Sequence, residues 1–435
     1  MKLAKRLGVS KVLFATSMAL WSWLAVSPSF ASAQKGYNAV WNSSLQGSSA
    51  FIDASAYNSS GDFCQQVSAA LAQAFTQSLP GVVIDGRGVQ PSGGYTCANP
   101  PGYGVSAPGT WTVLLPAGII SISNGWTFTT PKVKLVGEGV GLTTLQAASS
   151  FTGSALIVSG SGTICASCYG ADVQDLTLDG GNNSSVLYGI NVAGSGSSSP
   201  NSVQRVSITN VEGTGMLISA PASGPYSDIT VSGVNTSVCV QITASGTLGI
   251  HGLTCSGSGS AAVRLDGSSN FIGDVSIASG FTDGILVGAG STVSGSVLFN
   301  ITGGGTNTIH VSSTNTVTDL SVMGATKGSA THSLQDDATS TTLTDANVGI
   351  YVLGSAITLV GSGGSVFTAH SRFTTSSGGT SDTGVTTWAV GNSSPVGGCS
   401  GSAAPIGSLF STTTGTPSSP PSLSVCKSSG WTTVY

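Results

Sequence analysis

Val206-Ser207-Ile208, Ile229-Thr230-Val231, Leu253-Thr254-Cys255 and Val275-Ser276-Ile277 follow one another along residues 206–277. Each triplet sets a hydroxyl between two apolar side chains, and successive triplets begin 22 to 24 residues apart. Side chains alternate across a strand, so the outer pair of each triplet points inward and the hydroxyl outward. Self-similarity at a fixed period marks a solenoid, in which each repeat buries its apolar face only against its neighbours. The beat starts at Leu176-Thr177-Leu178, 30 residues before Val206, and runs on to Val297, Leu320 and Leu343.

A second triplet follows each first one after 10 to 14 residues. The series is Ile190-Asn191-Val192, Met216-Leu217-Ile218, Val240-Gln241-Ile242, Val263-Arg264-Leu265, Ile285-Leu286-Val287 and Ile309-His310-Val311. Gly and Asn punctuate the turns, as at Gly180-Gly181-Asn182 and Gly233. A leucine-rich repeat has an overlapping period but needs Leu-x-x-Leu-x-Leu with an Asn ladder. Val, Ile, Thr and Gly stand here instead, with no helical pattern in the repeat. The expected fold is all-β: a parallel β-helix with like residues stacked about 4.8 Å apart.

Flanking segments complete the organisation. Lys2, Lys5, Arg6 and Lys11 precede an apolar run over residues 12–26, and Ala31-Ser32-Ala33 supplies a small-residue cleavage pattern. Residues 1–33 therefore read as a secretory signal peptide, too short in its apolar run to span a bilayer. Residues 34–110 form a lead-in segment with a helix over residues 63–78, capped by Asp62, with Val67, Leu71, Ala74 and Phe75 on one face. The β-helix occupies residues 111–360. Residues 361–395 are Gly/Ser/Thr-rich, a linker or the last coils, and residues 396–435 form a small β-rich C-terminal module.

Charge narrows the function. The chain has 13 basic and 17 acidic residues, and loss of the signal removes four basic ones, leaving a net charge of −8. No basic stripe exists for nucleic acid. An acidic polysaccharide would be repelled on average unless a cation such as Ca2+ bridged it. No other cofactor is evident. Eight cysteines in an extracellular chain imply disulfides. Sequential pairing gives Cys64–Cys97, Cys239–Cys255 and Cys399–Cys426, with Cys165–Cys168 as a tight loop bridge.

The order of elements resembles the pectate-lyase-like superfamily of right-handed parallel β-helix proteins. Gly61-Asp62 before the helix, Leu115-Pro116-Ala117-Gly118, Val133-Lys134-Leu135-Val136-Gly137-Glu138-Gly139 and Asp175-Leu176-Thr177-Leu178-Asp179-Gly180 carry the likeness. It implies an N-terminal helix capping the β-helix, and an extended polysaccharide as partner. The Asn-Thr-Asp, Gly-His-Gly and Arg-Ile-Lys motifs of the polygalacturonase-like members are absent, and Asp336-Asp337 is the only Asp-Asp pair.

Two polar ladders are candidate sites. The residues before the first strand of each coil read Asp175, Arg205, Asp228, Gly252, Asp274, Ser296 and Asp319, with Arg205 set to pair with both neighbouring carboxylates. The second strands present Asn191, Leu217, Gln241, Arg264, Leu286 and His310, with Asp266 placed to hold Arg264, and Arg264 with Asp266 and Asp283 is the nearest approach to a lyase site. Candidate catalytic residues are Asp175, Asp228, Arg264 and Asp266. Candidate substrate-binding residues are Arg205, Gln241, His310, Tyr188 and Tyr226, the two tyrosines as rings at turns. His251, His332 and His370 show no metal-ligand spacing. The expected function is a secreted, non-catalytic glycan-binding or adhesin-like protein. The alternative is a polysaccharide lyase or glycoside hydrolase.

Overall fold

The computed structural model describes most residues between Phe51 and Val434. Residues 1–50 lie outside the description, as do several shorter stretches, including 160–170, 194–200, 362–371, 392–408 and 413–422. The signal-peptide reading, the loop bridge Cys165–Cys168 and the Cys399–Cys426 pairing all fall on residues or side chains outside it.

The chain forms one parallel β-solenoid. Two strands per coil repeat through its centre. The longer ones are Ala171–Asp179, Val203–Thr209, Tyr226–Val234, Leu248–Gly257, Asn270–Ala278, Thr292–Thr302 and Thr316–Lys327. The shorter ones are Tyr188–Val192, Thr214–Ile218, Val238–Ile242, Ala261–Leu265, Asp283–Val287, Asn307–Val311 and His332–Asp336. Each pairs in parallel with its equivalent one coil earlier and one coil later. The hydroxyl column has the expected register, Thr177↔Ser207↔Thr230↔Thr254↔Ser276. So does the column Asn191↔Leu217↔Gln241↔Arg264↔Leu286↔His310, which continues to Gln335.

Packing follows the triplets. Leu176, Leu178, Val206, Ile208, Ile229, Val231, Leu253 and Cys255 are all buried from the first strands, as are Ile190, Met216, Val240, Val263, Ile285 and Ile309 from the second. Each large side chain so buried contributes about 1.5–3 kcal/mol. The two faces interlock at a corner. Position one before the second triplet is small, as at Gly215 and Gly284, because a branched residue of the next coil sits against it. A Cβ added at Gly215 would lie 2.4 Å from Val231 Cγ1, and one at Gly284 would lie 2.5 Å from Ile301 Cδ1.

The N-terminal end is covered by the helix Phe63–Thr76. Asp62 caps it, accepting from the Gln65 amide at 2.7 Å, while the Gln65 side chain accepts from the Asp62 amide at 3.3 Å. Phe63, Val67, Ala70, Leu71 and Ala74 form its buried face. The Cys64–Cys97 disulfide ties this helix to the strand Thr96–Cys97, as expected. At the other end, parallel pairing continues past residue 351 through Arg372–Thr375 and Trp388–Gly391 to Leu409–Thr412. The described strands Arg372–Thr375, Thr380–Thr383 and Trp388–Gly391 thus continue the parallel stacking. Leu409–Thr412, Leu423–Lys427 and Gly430–Thr433 then form a small antiparallel sheet.

Two expectations fail in this core. Tyr226 is fully buried, not a turn ring, because it shares a column with Val203 and Ile250, whose side chains point inward. Burial, then the nearby Asp172, raises its phenol above the ordinary range. Cys239 and Cys255 are buried free thiols rather than a disulfide. They occupy the interlocking corner, Cys239 in the small-residue column and Cys255 in the column of Val231, so packing fills the space without a bond. Burial, then contact with Cys239, pushes the Cys255 thiol well above its usual value.

Candidate functional site

The short-strand face gathers the densest polar chemistry. In its outward column Leu217 and Leu286 separate the hydrogen-bonding members Asn191, Gln241–Arg264 and His310–Gln335. Around Arg264, the pairing is internal. Its Nε donates to both oxygens of Asp266, at 2.9 and 3.1 Å. Gln241, one coil earlier, donates from Nε2 to Asp266 Oδ2 at 2.8 Å. The Asp266 side chain is only 7% exposed. Gly288 makes room for the pair on the following coil: a Cβ there would stand 2.2 Å from Asp266 Oδ1 and 2.9 Å from Arg264 Nε.

Beyond Leu286, six side chains from three successive coils close a hydrogen-bonded ring. His310 Nδ1 donates to Asp283 Oδ2 at 3.1 Å. Its Nε2 donates to Asp337 Oδ2 at 3.0 Å. Gln335 Nε2 donates to both Asp337 oxygens at 2.9 and 3.1 Å, and its Oε1 accepts from His332 Nδ1 at 3.2 Å. His332 Nδ1 also meets Asn307 Oδ1 at 2.8 Å, and Asn307 Nδ2 donates to Asp283 Oδ1 at 2.7 Å. Asp283, Asn307 and His332 form one register column, and His310 and Gln335 form another.

The ring sets the charge state of His310. A carboxylate only accepts hydrogen bonds, so an imidazole touching one on each side needs a proton on both nitrogens. The bond to Asp283 raises the His310 pKa above its ordinary value, partial burial opposes the rise, and Asp337 adds to it. The imidazolium is therefore the form that matches this geometry.

The long-strand face carries the other predicted ladder, with a different role. Asp175, Arg205, Asp228, Gly252 and Asp274 all have positive φ, from 51° to 65°. Each makes a corner just before the apolar beat resumes, at Leu176, Val206, Ile229, Leu253 and Val275. Glycine takes this conformation freely and Asp tolerates it, whereas for Arg205 it costs about 1–2 kcal/mol. Arg205 is held by a bidentate pair to Asp175, with Nε at 2.5 Å and Nη2 at 2.8 Å. That bond lowers the Asp175 pKa, and Asp228 acts on Arg205 only through its charge. The expected pairing of Arg205 with both carboxylates thus reduces to one bonded partner. The column also ends sooner than expected. Val275 pairs with Phe299 across a register shift, so Ser296 lies beside Phe271 and not beside Asp274.

The structure therefore unites Gln241, Arg264, Asp266 and His310 on one face and leaves Asp175, Arg205 and Asp228 on another. Tyr188 opens its short strand, half-buried, in line with Thr214. Asp283 joins Arg264 and Asp266 on this face, as the sequence groups them, and Asn307, His332, Gln335 and Asp337 join the site although the sequence reading assigns them no binding role. Among the described residues, no group of three or more His, Cys, Asp or Glu side chains is arranged to hold a metal ion.

No family model matches the chain, and no curated protein is similar to it. Among solved structures, it is similar to the A-module of the mannuronan C-5 epimerase of Azotobacter vinelandii. The identity is 16% and the TM-score 0.35, over 78% of this chain and 93% of that one.

Proposed function

We propose that this chain is an extracellular, non-catalytic glycan-binding protein that lays an extended polysaccharide along its short-strand face. The observation that carries the reading is the partnering of the acid–base groups in the two clusters. Both nitrogens of His310 are engaged by carboxylates, and Asp266 receives Arg264 and Gln241. A general base needs a free lone pair within reach of the proton it takes. The carboxylate oxygens of Asp283 and Asp337 that hold His310 stand no more than about 8 Å apart, two hydrogen bonds and the width of the ring. That falls within the roughly 6.5–9.5 Å used by inverting glycosidases, but the His310 ring fills the gap where water and the sugar carbon would sit. Fixed amides and carboxylates beside Leu217 and Leu286 instead suit the hydroxyls and hydrocarbon faces of sugars. The Cys64–Cys97 disulfide accords with an oxidising compartment.

The test is a polysaccharide panel read two ways, by retention of polymer on the immobilised protein and by release of soluble products. Retention without product is expected. Release of reducing ends or unsaturated sugars, lost in Arg264→Ala, would favour the lyase or hydrolase alternative and overturn this reading.

A further inference from the structure

We infer that the short-strand face is selective for uncharged polysaccharides over uronate polymers, with Asp266 and Asp337 as its specificity-determining residues. This rests on the glycan-binding reading and adds the class of sugar.

Among the described residues of the two clusters on this face, two cations, Arg264 and His310, meet three carboxylates, Asp266, Asp283 and Asp337. With His310 doubly protonated, the set carries a net charge of −1. Recognition of a uronate calls for a cation free to take the carboxylate, ideally through the guanidinium fork. Arg264 is already neutralised by Asp266, which itself is only 7% exposed and fixed by Gln241. His310 is held from both sides. A sugar carboxylate arriving here would have to displace a built-in partner and would also approach uncompensated negative charge.

The geometry around Arg264 shows that this pairing is part of the fold. The pair lies over Gly288, where any Cβ would collide with Asp266 Oδ1 and crowd Arg264 Nε. Arg264 Nε is thereby held between Asp266 and the backbone of the following coil. What remains open to a ligand is polar but compensated, with Leu217 and Leu286 between the polar members of the column. Neutral hexoses present this same mixture of hydroxyls and C–H faces.

The experiment measures binding of the full chain to a neutral glucan, a neutral galactan, polygalacturonate and polymannuronate at low and high salt, with and without Ca2+. The wild type is expected to bind at least one neutral polymer about tenfold more tightly than either uronan, with little salt dependence. Asp266→Asn keeps the shape and an acceptor while removing the neutralising charge. It is expected to raise uronan affinity, and with it the ratio of uronan to neutral-polymer affinity, by about tenfold. Asp337→Asn, at a 39% exposed side chain, gives the same test in a variant whose folding is less at risk. Uronan binding equal to or tighter than neutral binding, with or without Ca2+, overturns the selectivity while leaving the glycan reading intact. Binding to no polymer overturns both.

Discussion

Removing the His310 side chain should destabilise the protein in acid and much less in alkali. His310→Gln keeps a polar side chain of similar reach but cannot carry charge. In the wild type the contact to Asp283 is largely buried, with side chains 20% and 8% exposed, so a charge-assisted bond there is worth about 1.5–3 kcal/mol. The contact to Asp337 is 39% exposed on the acid's side and is worth below about 1 kcal/mol. The expected loss at about pH 5.5 is therefore about 2–4 kcal/mol. Because the folded-state pKa lies above the unfolded value of about 6.5, this stabilisation is fully present below 6.5. It disappears as pH rises through the folded value. At an alkaline pH above the folded value the neutral ring donates to one carboxylate only, and the cost of the substitution falls to about 1 kcal/mol. Urea unfolding of wild type and variant at both pH values reads this directly. Equal losses at the two values, or a loss that grows with pH, would refute the doubly protonated ring.

Two further outcomes probe the frame around the site. Gly284→Ala places a Cβ 2.5 Å from Ile301 Cδ1 and 2.7 Å from the Thr308 carbonyl oxygen, and should cost about 1–3 kcal/mol. Ile301→Val removes the colliding methyl at about 0.5–1.5 kcal/mol, so the double variant should unfold at a higher urea concentration than additivity predicts. Cys97→Ser opens a cross-link spanning 33 residues and should cost about 3–4 kcal/mol, measured as the same loss on reducing the wild type.

Reading the sequence reached the solenoid and the short-strand column because both rest on one period. Asn191, Gln241, Arg264 and His310 each sit between two inward apolar residues, so their outward direction follows from alternation alone. Asp266 is two residues beyond Arg264 on the same strand, and its role was equally accessible. The ring was harder to see. Asp283 and Asp337 lie 27 residues either side of His310, whereas its column advances by 24 to Leu286 and 25 to Gln335. Periodicity alone therefore never aligns the two acids with the histidine. They meet it because Asp283 opens its strand, Asp337 lies just past the end of another, and the imidazole reaches diagonally across both. The corner residues did leave a signal: a column mixing Asp with Gly252 is the mark of positive φ. Tyr226 carried one too, since its partners Val203 and Ile250 are apolar and inward.

Stacking also explains why so few charges suffice and why so few cations remain for a ligand. In a parallel solenoid a charged column would bring like charges about 4.8 Å apart. Sign alternation relieves this at Asp175–Arg205–Asp228. On the other face, Arg264 lies between Gln241 and Leu286, and His310 lies between Leu286 and Gln335. Each cation is thus insulated along its own column and neutralised from a neighbouring one. Only 7% of the chain is charged, and on this face the same carboxylates that neutralise Arg264 and His310 would oppose a polyanionic ligand. Removing Asp266 while leaving Arg264 therefore separates the structural role of the pair from its part in sugar selection.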